Sequence, residues 1–127
     1  FSEARLNALL AEGKPVFVNF TAAWCISCLV NERVALSDAN VIAAFARGEI
    51  NYLKGDWTNR DPEITAFLKR FNRSGVPLYL FYPAATSTPQ VLPQILTIRN
   101  MNSSKPKPLK TGRSKNRNCI KSRLCLY

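Results

Sequence analysis

Cys25 and Cys28 stand three residues apart in Trp24-Cys25-Ile26-Ser27-Cys28, close behind the almost continuously apolar run Val16-Phe17-Val18-Asn19-Phe20. Such a run reads as a central strand covered on both faces, and Cys28, Leu29 and Glu32 at i, i+1, i+4 predict a helix from Cys25 through Arg33. A strand feeding a helix puts Cys25 at the exposed helix start, where free backbone N–H groups and the helix dipole stabilise a thiolate. Cys28 then lies one turn in and more buried. Position suggests the roles: Cys25 attacks a substrate disulfide, and Cys28 resolves the mixed disulfide by attacking the Cys25 sulfur. Two other readings remain open, a pair of plain core cysteines and a dithiol that holds a soft cation such as copper. A four-cysteine metal site is disfavoured, because Cys119 and Cys125 are six residues apart and about ninety residues from the first pair.

Three further positions belong to this neighbourhood. Glu32 is one helical turn past Cys28 and on its face. There a carboxylate can accept the Cys28 proton or raise thiol pKa by repulsion, the alternative being ordinary solvated helix surface. Asn19 is a polar residue inside the apolar strand, six before Cys25; it can hydrogen-bond backbone or water but, being neutral, cannot relay a proton. Val76-Pro77 precedes a strand, and a cis bond there would turn the Val76 backbone toward an adjacent site to pair with an extended substrate. Any single X-Pro bond on sequence alone favours trans.

The rest of the composition narrows the chemistry. The 127 residues contain no His, which excludes His-based zinc sites, Cys-x-x-Cys-His haem attachment and cysteine–histidine catalytic pairs. With 46% apolar residues and this length, one core is expected. The formal charge of +10 belongs to the tail: residues 1–98 hold 9 basic and 8 acidic residues, residues 99–127 hold 9 basic and none acidic. Nucleic-acid binding through that tail has counterion release behind it, but its only aromatic is Tyr127 and no reader fold is recognisable, so none is expected. No run approaches 18 apolar residues and Phe1-Ser2-Glu3-Ala4-Arg5 is no signal peptide. The chain as given is therefore expected neither to span nor to direct itself through a membrane, and its Phe1 start suits a fragment or processed chain.

The elements that position these residues follow from periodicity. Leu6, Leu9 and Leu10 form a helical stripe over Arg5–Glu12, stopped by Gly13-Lys14-Pro15. Ser37 or Asp38 caps a short helix that buries Val41, Ile42 and Phe45. Ile50–Lys54 reads as a strand that leaves the sheet at Gly55-Asp56-Trp57. Asp61 with Pro62 at N1 starts a helix carrying Ile64, Phe67, Leu68 and Phe71. Leu78–Tyr82 is a third strand, and Val91-Leu92 with Ile95–Ile98 suggests a short final one. The alternation gives parallel pairing first and a hairpin last: an α/β, mixed sheet with helices on both faces. From Asn100 the apolar pattern fails, so the expected division is a domain at 1–98 and a basic, disordered tail at 99–127.

The segment from Val16 through Thr21-Ala22-Ala23 to Cys28, followed by Gly75-Val76-Pro77, resembles the thioredoxin superfamily. Gly13-Lys14-Pro15-Val16, Glu32-Arg33-Val34, Asp38 and Asp56-Trp57-Thr58-Asn59-Arg60-Asp61-Pro62 narrow the likeness to the C-terminal periplasmic thioredoxin-like domains of DsbD, copper-tolerance relatives included, over about residues 3–98. The resemblance implies a thioredoxin-like fold and a protein-disulfide reductase without cofactor or metal, the alternatives being a redox-inactive thioredoxin-like interaction module or a copper-binding dithiol domain. It implies Cys25 as nucleophile, Cys28 as resolving thiol, Pro77 as cis-proline and Glu32 as the acidic residue past the second cysteine, with Trp24, Asn19 and Val76 in support. It implies partners in the transmembrane and N-terminal domains of a DsbD-like parent, a monomer in the periplasm, and a place in electron transport and cytochrome c biogenesis. The chain departs from the family in three ways: Asn19 replaces a buried Asp, Ala23 replaces an acidic residue, and the usual final amphipathic helix is missing.

Overall fold

The central strand β1 (Val16–Thr21) is buried at all six positions. A computed structural model describes residues 1–103, and in it β1 pairs on one edge with β2 (Asn51–Asp56), parallel, and on the other with β3 (Leu78–Tyr82), antiparallel. A two-residue strand, β4 (Gln90–Val91), pairs antiparallel with β3 and completes the sheet order β2-β1-β3-β4. The mixed sheet is as expected. The β1–β3 pairing, however, is antiparallel where the strand–helix alternation suggested parallel, because hydropathy marks a strand but not its direction.

The period of two along β1 sorts the helices onto the two faces. Val16, Val18 and Phe20 face α1 (Glu3–Ala11) and α4 (Pro62–Arg70), joining Leu6, Leu9, Ile64, Phe67 and Leu68 in one core. Phe17 faces the other side, where α2 (Ile26–Asn31) runs directly into a π-helical stretch, Glu32–Leu36, followed by α3 (Ala39–Arg47). There it shares a core with Ala35, Val41, Tyr79 and Phe81. Helix ends follow local chemistry. Ser2 and Asp38 cap α1 and α3, and Asp61 accepts the Ile64 N–H with Pro62 in the first turn of α4. Gly13 in the left-handed region (φ 70°) closes α1.

Three expectations on this face need correction. Ile42 is 55% exposed: Val41 and Phe45 turn inward, and Ile42 lies about a quarter-turn round the helix on the rim of a groove beside β2. The strand following α3 begins at Asn51, since the Ile50 N–H still closes α3 on Phe45 O, and it continues through Asp56. Residues 95–97 form no strand. They lead instead into α5 (Ile98–Ser103): a short final helix is present where none was expected, and it runs past the expected domain end at 98. Met101 is 5% exposed in the core of Phe17, Tyr79 and Phe81, a lone apolar anchor too sparse to register as a stripe. Residues 104–127, with Cys119, Cys125 and the expected disorder, lie outside the described residues.

Asn31 ties α2 to β3 and to the segment that follows β4. It is fully enclosed; its Nδ2 donates to the Tyr79 hydroxyl (2.9 Å) and Gln94 O (2.8 Å), and its Oδ1 accepts the Leu96 N–H (3.0 Å). Asn31→Ala leaves these buried partners unsatisfied and should cost about 2 kcal/mol or more. For a domain of this size that lowers the melting midpoint by roughly 10 °C in a thermal unfolding scan. A change within about 0.5 kcal/mol, as for an ordinary surface substitution, would contradict the assignment.

Candidate functional site

Backbone pairing carries β1 as far as Thr21, whose carbonyl accepts the Trp57 N–H (2.7 Å). The chain then turns at Ala22-Ala23-Trp24, with the Cys25 N–H on Ala22 O (3.1 Å). Cys25 has extended backbone geometry and is the N-cap of α2. Its Sγ accepts the Cys28 backbone N–H at 3.2 Å, and its carbonyl accepts the Leu29 N–H at 3.1 Å. Cys25 and Cys28 are joined by a disulfide. Cys25 keeps 7% of its surface and Cys28 none, so Cys25 is the more accessible residue, though the helix start is more enclosed than predicted. Both pack against Ala22 and Val76, and the Val76–Pro77 peptide bond is cis.

The turn that presents Cys25 is held from the β2 side. Ala23 N donates to Thr58 Oγ1 (2.9 Å), and Trp24 Nε1 donates to Thr58 O (3.1 Å). Thr58 is itself fixed by Asp56, whose Oδ1 accepts the Thr58 N–H (2.9 Å) and the Thr58 hydroxyl. These bonds hold the Asp56 carboxyl below the usual carboxylate range. The Trp24 ring lies 5.9 Å from that of Trp57 and remains 52% exposed beside the disulfide.

Glu32 and Asn19 meet through a side-chain hydrogen bond, where the sequence suggested only backbone or water as partners for Asn19. The Glu32 N–H bonds Cys28 O, and the Glu32 side chain turns toward the sheet. Its Oε1 is 3.4 Å from Asn19 Nδ2 and 3.3 Å from Lys54 Nζ, and its side chain is 25% exposed. Asn19 is wholly buried; its Nδ2 also donates to the Tyr52 hydroxyl at 2.7 Å, while its Oδ1 has no partner. Burial pushes the Tyr52 phenol up, and pushes that of Tyr79 up to about 12. A cleft of about 210 Å³ opens between the β1–α2 turn and β2, lined by Thr21, Ala22, Glu32, Lys54, Asp56 and others. Glu32 therefore has a route to water.

Tyr52, Lys54, Asp56 and Thr58 were not visible as site residues in the sequence. The period-two spacing of Tyr52, Lys54 and Asp56 was the available signal, since it places them on one face of β2. Among the described residues no group of three or more His, Cys, Asp or Glu is arranged to hold a metal ion, and no helix is long and apolar enough to cross a membrane.

Comparison with known proteins gives the same reading. The family model described as thioredoxin-like matches residues 1–84. The chain is 39% identical over 79 residues to the thiol:disulfide interchange protein DsbD of Ralstonia nicotianae, covering 62% of this chain and 13% of that protein. It is 41% identical over 83 residues to the thiol:disulfide interchange protein DsbD 1 of Pseudomonas aeruginosa, covering 62% and 14%. It thus spans only a small part of these relatives. The DsbD C-terminal domain of Neisseria meningitidis in its oxidised form superposes with a TM-score of 0.58 at 26% identity, covering 78% of this chain and 90% of that one. Its reduced form gives 0.64 at 24% identity, covering 80% and 92%. The chain belongs to the thioredoxin-like family, with a disulfide-forming Cys25-x-x-Cys28 pair suited to thiol–disulfide exchange and sequence similarity to DsbD.

Proposed function

We propose that this chain is a thiol–disulfide oxidoreductase domain that relays electrons as a protein-disulfide reductase, with Cys25 as the attacking sulfur and Cys28 as the resolving one. The observation that carries the roles is the sulfur pair itself: Cys25 is the more accessible and accepts a backbone N–H at the start of α2, while Cys28 is sealed. That N–H favours a thiolate on Cys25 once the disulfide is opened.

In the reducing direction the Cys25 thiolate attacks one sulfur of a substrate disulfide. The substrate S–S bond breaks, and its second sulfur leaves as a thiolate that takes a proton. Cys28 then loses its proton and attacks the Cys25 sulfur, breaking the mixed disulfide and closing Cys25–Cys28. The first substrate sulfur leaves in that step as a thiolate and takes a proton. Counting the proton that Cys25 released to solvent on forming the thiolate, the domain has given up two electrons and two protons, and the substrate has become a dithiol. Glu32, one helical turn past Cys28 and lining the cleft, is the candidate acceptor for the Cys28 proton, and its charge would disfavour thiolate formation nearby. Val76, which precedes Pro77 across a cis bond, packs against both cysteines, and the exposed Trp24 directly precedes Cys25.

The similarity to DsbD supports a periplasmic location, as a domain of a longer membrane-bound parent whose other domains donate and accept the electrons, a place in electron transport, and a domain ending near the start of the basic tail.

Two experiments test the assignment. Cys28→Ser should trap a mixed disulfide through Cys25 when the reduced protein meets oxidised insulin, read by non-reducing mass spectrometry, and Cys25→Ser should not. Equal trapping by both variants would overturn the roles. Glu32→Gln removes the charge and keeps the shape, so the Cys25 thiol midpoint, measured as alkylation rate against pH, should fall by about half a unit, or roughly 0.7 kcal/mol. Favouring the thiolate stabilises the reduced form, so the potential should become less negative by about 15 mV. An unchanged midpoint and potential would remove Glu32 from the mechanism and leave the cysteines in place.

A further inference from the structure

Tyr52 is joined to the exchange site by a hydrogen-bonded bridge that its position in the sequence does not announce. It stands on β2, directly across the ladder from Phe17, two residues from the Asn19–Lys54 pair. Its ring stacks on Phe17 at 5.7 Å and lies against Phe45 at 6.5 Å, which fixes where the hydroxyl points. That hydroxyl accepts Asn19 Nδ2 at 2.7 Å, the shorter of the two bonds made by this nitrogen; the longer, at 3.4 Å, reaches Glu32. Burial, the largest influence on the phenol, keeps it protonated.

Asn19 Oδ1 has no protein partner, and the sense of the amide can be weighed against its neighbours. A wholly buried acceptor without a donor is costly, and reversing the amide would let Oδ1 accept the Tyr52 O–H. The reversed amide would also set Oδ1 against the Glu32 carboxylate. The observed sense keeps an N–H on both Tyr52 and Glu32 at the cost of one bare oxygen. The other groups that face or sense Glu32 are Lys54 on β2, at 3.3 Å, and the Tyr79 phenol on β3.

We infer that Tyr52 is a positioning residue for the exchange reaction: through the Asn19 amide, its hydroxyl holds Glu32 turned in against the sheet at the C-terminal end of α2, one turn past Cys28. This rests on the reading of Glu32 given above. Without the hydroxyl, the amide is free to turn, and Glu32 keeps only Lys54 as a tether. The carboxylate then spends less time near the thiols, and its effect on them weakens without disappearing.

The test is a cycle of Glu32→Gln, Tyr52→Phe and the double variant, read as the pH midpoint of Cys25 alkylation in the reduced protein. Phenylalanine keeps both ring contacts. The expected shifts are downward, about half a unit for E32Q and roughly 0.2 to 0.3 unit for Y52F, with the double variant equal to E32Q alone. Asn19→Leu, which removes the bridge at similar volume, should reproduce Y52F and serves if Y52F fails to fold. If E32Q moves the midpoint while Y52F and N19L leave it at the wild-type value, Tyr52 has no such role and the Glu32 reading survives. If Y52F shifts the midpoint equally in the E32Q background, it acts without Glu32 and the inference fails. If E32Q itself moves nothing, the Glu32 reading and this inference fail together.

Discussion

The structure depends on the burial of β1 from both sides and both edges. With β2 parallel on one edge, β3 antiparallel on the other and helices over both faces, the strand has no freedom to slip, because a one-residue shift would exchange Val16, Val18 and Phe20 with Phe17 and Asn19. The strand ends at Thr21, and four residues later the chain must present Cys25 at the start of α2. The position of the sulfur pair is thus set by the register of the strand before it and by the Thr58 clamp on the turn between them.

The same register creates a polar layer beneath the helix that carries the cysteines. Asn19 faces Lys54 on one side and Tyr79 on the other, and Phe17 stacks between the Tyr52 and Tyr79 rings. Two buried asparagines take opposite parts in it. Asn31 has its amide fully used, by Tyr79, Gln94 and Leu96, and anchors the helix. Asn19 has a bare oxygen and a shared nitrogen, and stands between the sheet and the Glu32 carboxylate.

How far the sequence could be read depended on whether the governing contacts were local. β1 and β3 were visible as apolar runs, since strands covered on both faces have no polar alternation to hide them. α4 was visible through Asp61 and Pro62, and the dithiol through its spacing. Contacts between strands were not visible. Tyr52, Lys54 and Thr58 become site residues only once register places them opposite Phe17, Asn19 and Ala23. The π-helical stretch after Asn31 left no mark in the hydrophobic period, and it still leaves Glu32 facing the sheet. α5 escaped notice because a single buried methionine makes no periodic pattern.

The central claim is that Cys25 and Cys28 act as one exchange couple. The most direct measurement is equilibration of the protein in glutathione buffers of graded potential, followed by acid quench, alkylation and mass spectrometry of the peptide that carries both cysteines. One two-electron transition is predicted, with both sulfurs converting together and a tenfold change in the reduced-to-oxidised ratio per about 30 mV. Independent titration of the two cysteines as separate glutathione adducts, or no transition at all, would contradict it.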